Sequence, residues 1–204
     1  MKAMNILKLA ASALLLISTA AGAATIKTSA HDLTATGAGS ATYSNTNDDG
    51  QVCVYCHTPH AASTTAAGPL WNKSLTTAGN FTIYSSPGTL LGAITQPAGV
   101  SLACLSCHDG TLAVDTLINF PSGMSAGSTK ITGDASFGVD LSNDHPISIV
   151  YTSANAALVT SPATANVKIF GTTVECGSCH QVHDPAITPF LRSTNANSAL
   201  CYSC

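Results

Sequence analysis

The chain is 204 residues long, and only 8% of them are charged, against roughly 25% in ordinary soluble domains. Aromatic residues make up 5%, too few for a conventional core of large side chains, and the formal charge of −3 removes nucleic acid from the plausible partners. Disorder is not the expected alternative, because it combines low hydrophobicity with a high net charge that this chain lacks.

Residues 1 to 24 read as a cleaved export signal. Lys2 and Lys8 give a positive start, Leu9 to Thr19 is apolar, and Ala21-Gly22-Ala23 offers a small-residue cleavage site, with Ala24 a close alternative. The apolar run is too short to span a bilayer, so no membrane span is expected. No cysteine lies near the cleavage site to take a lipid anchor. Removing Lys2 and Lys8 leaves five basic residues against ten acidic ones, a formal charge of −5. Residues 25–204 then form one domain of normal size.

Residues 25 to 50 form a polar, turn-rich arm that closes on Asn47-Asp48-Asp49-Gly50. Cys53-Val-Tyr-Cys56-His57 follows, and its segment runs on into Gly68-Pro69-Leu70-Trp71-Asn72. Residues 72 to 100 are Thr/Gly/Pro loops. After Cys104-Leu-Ser-Cys107-His108, the spacing of apolar and small residues predicts a short helix over Asp109 to Asn119. Residues 121 to 145 are again loop. Val167 to Phe170, Gly171, then Thr172 to Glu175 predict a small β-hairpin leading to Cys176-Gly-Ser-Cys179-His180. Residues 196 to 204 predict a short helix carrying Cys201-Tyr-Ser-Cys204. The four motif starts are 51, 72 and 25 residues apart, which is no simple repeat.

The four Cys-x-x-Cys pairs use all eight cysteines, and in three of them a histidine follows at once. Cys-x-x-Cys-His is the attachment signature of c-type haem. Two thiols at this spacing reach the two vinyl groups of one porphyrin, and the adjacent imidazole sits under the ring where it can bind iron. Cys-x-x-Cys alone also serves zinc sites and redox disulfides; three complete copies with no cysteine left over point to haem. Cys53, Cys56, Cys104, Cys107, Cys176, Cys179, Cys201 and Cys204 are therefore the candidate thioether residues. His57, His108 and His180 are the candidate proximal ligands. Porphyrins would also account for the missing core, since each is a large flat apolar body that small residues can wrap closely.

Seven histidines are present, and four remain after the proximal three: His31, His60, His145 and His183. Four haems with two imidazoles each need eight, and the eighth would be the residue just after Cys204. The chain is accordingly expected to continue by at least one residue, giving four haems, three of them with complete motifs here. Met1 and Met4 leave with the signal, so only Met124 could compete for a distal position, and the four spare histidines match the four distal sites in number. His60 and His183 each follow a proximal histidine by three residues. In a helical turn that places them on the same face, one pitch of about 5.4 Å away, able to reach a neighbouring haem but not the far side of their own. His145, held extended by Pro146, is the natural distal ligand of an internal haem. His31 could fold back with its arm or reach a haem of a neighbouring molecule. Trp71 packs on a haem or serves a plain core role.

The segment Cys176 to Cys204 resembles the doubled CXXCH module of multihaem cytochromes c. With Cys-Val-Tyr-Cys-His-Thr-Pro-His60, Pro69-Leu-Trp-Asn72, Cys-Leu-Ser-Cys-His-Asp-Gly-Thr111 and Asp144-His-Pro146, the mature chain resembles the extracellular tetrahaem cytochromes of metal-reducing bacteria whose subunits polymerise into filaments, the OmcE type. The resemblance implies a mostly irregular fold with short helices and a small hairpin, a haem stack serving as the core, and bis-histidine iron throughout. It also implies self-association outside the cell or at its surface, and electron transfer to other redox proteins or an extracellular acceptor rather than catalysis. The absent histidine after Cys204 departs from the family pattern. A monomeric periplasmic electron shuttle, a multihaem reductase with one open iron position, and a structural zinc protein with two Cys₄ sites are the alternatives.

Overall fold

A computed structural model describes residues 25–39, 48–64, 68–75, 80–85, 90, 92–152, 156–160, 162 and 166–204. The export signal and Asn47 lie outside these. Regular structure is sparse. Helix α1 spans Gly99–His108, strand β1 Ile149–Val150, strand β2 Thr173–Val174 and helix α2 Cys176–Cys179, with short 3₁₀ turns elsewhere. β1 and β2 pair antiparallel, Ile149 opposite Val174.

The second motif forms α1 itself; the predicted helix over Asp109 to Asn119 is not there. The sequence carries its own stop: the Asp109 carboxylate accepts the backbone N–H and the hydroxyl of Thr111 (2.8 and 2.9 Å), and Gly110 takes φ +68. A glycine in the left-handed region just past the last helical turn ends a helix at little steric cost. The predicted hairpin is half made. Phe170 and Thr173 exchange backbone hydrogen bonds of 3.0 Å around Gly171 at φ +62, but the returning strand takes its ladder from β1 rather than from residues 167 to 170. The last nine residues form two separate 3₁₀ turns, Ala196–Ser198 and Cys201–Ser203, because Asn197 and Ser198 stand at φ 53 and 62.

Two small apolar clusters flank α1. Leu33, Tyr55, Val114, Leu117, Met124 and Ile131 form one, with Cys56 and Cys107 packed against it. Phe81, Leu105 and Leu141 form the other. Leu33 draws the N-terminal arm into the first cluster. Leu105, 1% exposed, anchors α1 in the second, so Leu105→Ala is expected to cost about 3 kcal/mol of unfolding free energy. A urea midpoint lowered with unchanged slope would register this loss. α2 lies close against α1: a Cβ on Gly177 would meet Phe170 at 2.9 Å and Val100 at 3.2 Å. Glycine between the third pair of cysteines is what allows this approach.

Candidate cofactor-binding site

Each Cys-x-x-Cys pair lies on a helical turn: Cys53 within a 3₁₀ turn at Val52–Tyr55, the second pair on α1, the third on α2 and the fourth on the final 3₁₀ turn. The backbone N–H of His57 bonds the Cys53 carbonyl at 2.8 Å, and that of His180 the Cys176 carbonyl at 3.0 Å. Residues i and i+3 share a helix face, so both thiols of a pair point the same way.

All three predicted proximal imidazoles are oriented alike. Nδ1 of His57 lies 2.8 Å from the Pro69 carbonyl, Nδ1 of His108 2.7 Å from that of Ala135, and Nδ1 of His180 2.8 Å from that of Pro189. A carbonyl only accepts, so Nδ1 carries the proton in each case and the Nε2 lone pair is left for a metal. This is how proteins fix the tautomer and the direction of a ligating histidine. The three carbonyls were not singled out by the sequence.

Two of them come from matching straps. Thr58 N–H donates to Leu70 at 2.9 Å, His57 bridges Trp71, and Asn72 N–H returns to Cys56 at 2.8 Å. In the third motif Gln181 N–H donates to Phe190 at 2.7 Å, His180 bridges Leu191, and Arg192 N–H returns to Cys179 at 2.8 Å. Leu70 and Phe190 both have positive φ, at 56 and 62. The unequal motif spacing hides this local repeat. The signal was in the sequence as Pro69-Leu-Trp-Asn and Pro189-Phe-Leu-Arg, each after a His-x-x-His.

His31 and His183 approach proximal histidines of other motifs. The rings of His57 and His183 have centroids 6.1 Å apart with planes 19° from parallel, and those of His108 and His31 are also 6.1 Å apart, at 66°. Two metal–nitrogen bonds of about 2 Å, plus roughly 1 Å from nitrogen to ring centre on each side, put two imidazoles sharing one metal at about this separation. The N-terminal arm folds back onto its own chain to bring His31 there. His183 is not carried there by a helical turn after His180. His180 is already extended (φ −106, ψ 144), and His183 sits in a turn closed by Asp184 N–H on the Gln181 carbonyl at 2.9 Å. Among the described residues neither His60 nor His145 has its ring against another histidine. Trp71 sets its ring edge-on to His57, 5.9 Å between centroids, and its indole N–H donates to Ser106 at 3.2 Å. Met124 lies in the apolar cluster.

The residues fit a porphyrin. Beside Cys53 and His57 is a cavity of about 510 Å³ edged by Val52, Val54, Pro59 and Leu70. His31 Nδ1 is buried and has no hydrogen-bond partner. Burial, with His108, His180 and His183 nearby, pushes the His31 pKa down to about 4, so this imidazole is neutral and able to donate a lone pair at neutral pH.

Burial disfavours redox exchange at most of the thiols. All eight are unbridged, and burial pushes the Cys56 thiol up to about 12 and also raises Cys107, Cys179 and Cys204. Reactive Cys-x-x-Cys pairs need the opposite, a lowered pKa. Cys104 and Cys176 share a hydrogen bond between the second and third motifs; with burial it raises Cys104, and it lowers Cys176. Among the described residues, which include every cysteine, no three or more Cys, His, Asp or Glu side chains gather around one point. No described helix is long and apolar enough to cross a membrane. Compared with known proteins, the chain matches no protein-family model and none of the curated sequences.

Proposed function

We propose that this protein is an electron carrier that binds c-type haem at its four Cys-x-x-Cys pairs and performs no bond chemistry of its own. The observation that carries the reading is the shared orientation of His57, His108 and His180, two of which face a second imidazole at 6.1 Å. When bound, c-type haem supplies an iron that alternates between ferric and ferrous states. The chain's part is positional. The carbonyls of Pro69, Ala135 and Pro189 hold the proximal rings in one tautomer, His183 and His31 would complete the ligand pairs of His57 and His108, and the paired thiols would fix each porphyrin edge. Where His183 faces His57 and His31 faces His108, both sides of a bound iron would be occupied and substrate kept out, and the protein's levers on potential would be ligand type, hydrogen bonding and exposure.

The similarity of its motifs to filament-forming tetrahaem cytochromes supports an exported protein that assembles with copies of itself. Its own function would then be extracellular electron transfer. The intact mass of protein from a host able to mature c-type cytochromes is expected to carry four haems covalently, with a low-spin absorption spectrum. A colourless product, or one holding zinc, would remove the reading. Electron microscopy tests assembly separately: discrete particles at every concentration leave a monomeric shuttle in its place.

A further inference from the structure

Lys73 is buried without any exposed surface, and so is its neighbour Asn72, which ties the strap below the first motif to Asn119. A lysine in that state is costly unless its donors are met. The Lys73 ammonium donates to the carbonyls of Ala113, Val114 and Thr116, each at 3.0 Å. Three acceptors require three N–H groups, and a neutral amine has two, so the carbonyl cage selects the charged form. Val114 belongs to the apolar cluster on which Cys56 and Cys107 pack, which sets this fixed charge among the thiols of the first and second motifs. The third motif has a cation too, Arg192 near Cys179, but it is only half-buried and open to screening by water.

We propose that Lys73 is a potential-setting residue: its buried charge holds the haem sites of the first two motifs at higher reduction potential than those of the last two. This rests on the haem reading above. A ferric site carries one more positive charge than a ferrous one, so a nearby fixed cation favours reduction. At an effective dielectric of about 20, a unit charge within roughly 10 Å shifts such an equilibrium by tenfold or more. The chain would thereby be divided into a more easily reduced half and a less easily reduced half, giving electron flow a direction inside one molecule.

The test is spectroelectrochemical titration of the full-length haem-loaded protein against K73M, K73Q and K73R, with haem number per chain read from the intact mass. In K73M and K73Q two of the four components are expected to fall by at least tenfold in the ferric–ferrous equilibrium, about 59 mV for one electron. K73R, which keeps the charge, is expected to leave them in place. Fully loaded neutral variants with unmoved components, or with all four shifted alike, would overturn the proposal. A measurement on the native Lys73 background decides the case should neither neutral variant load haem. The iron opened to carbon monoxide by H183A must then come from one of the two highest-potential components, and a low-potential origin overturns the proposal. A colourless wild-type preparation would instead overturn the haem reading itself.

Discussion

His183→Ala is expected to open one iron per chain: one carbon monoxide more bound per chain than by the wild type, and a high-spin signal gained by about a quarter of the haem. The expectation follows from the 6.1 Å spacing and near-parallel planes of His57 and His183, and from the Pro69 carbonyl that aims His57 Nε2 away from its own backbone. Alanine leaves no side chain able to replace the imidazole. His183 is exposed on a turn and its side chain makes no hydrogen bond among those described, so its removal should barely disturb folding. His31→Ala is expected to do the same at the second motif. The double variant should bind two carbon monoxide molecules more than the wild type, since the two sites use separate partners. No carbon monoxide uptake by either variant would mean that these ring pairs are packing contacts and not axial pairs.

Glu175→Ala is expected to be the most destabilising single change, costing about 4 kcal/mol, because charge-assisted hydrogen bonds contribute roughly 1.5–3 kcal/mol each and their loss strands buried hydroxyls. The Glu175 carboxylate is 3% exposed and accepts from three hydroxyls: Ser101 at 2.5 Å, Ser148 at 2.8 Å and Thr173 at 2.7 Å. Ser101 also accepts the Cys176 N–H at 2.9 Å, and Ser178 Oγ accepts the Glu175 N–H at 2.8 Å in a capping box at the start of α2. One side chain thus joins α1, the residue before β1, β2 and α2, and through them the second and third motifs. Glu175→Gln keeps the shape and one acceptor, and is expected to lose about half as much. Urea unfolding of both variants checks this. A loss below about 1 kcal/mol for the alanine change would mean that water replaces the carboxylate.

Glu175 also explains why the predicted hairpin was only partly right. Val167 to Glu175 has the composition of two strands around Gly171, and the turn does form. The carboxylate's hydroxyl partners at Ser101 and Ser148 lie 74 and 27 residues away in sequence and draw β2 onto β1. Nothing local announces that competition. The misplaced helix at Asp109 to Asn119 is a different case. Asp109-Gly110 is a stop readable in the sequence, and it overrides the apolar spacing that follows. Lys73 carries no signal in the sequence because a lysine in a loop is ordinarily solvated, and only the fold shows three carbonyls around it.

By themselves the residues settle the chemistry on offer: paired thiols at i and i+3, an imidazole directly after three of them, and four further imidazoles in reserve. That much is legible because the short backbone span fixes which atoms share a helix face. Tertiary packing alone decides which carbonyl locks each ring, that His183 meets His57 and His31 meets His108, and that a buried ammonium sits by the first two motifs. These pairings join residues tens of positions apart. They are fixed by the burial of Leu33, Tyr55, Leu105 and Glu175, whose side chains find their partners only when the whole chain closes around them.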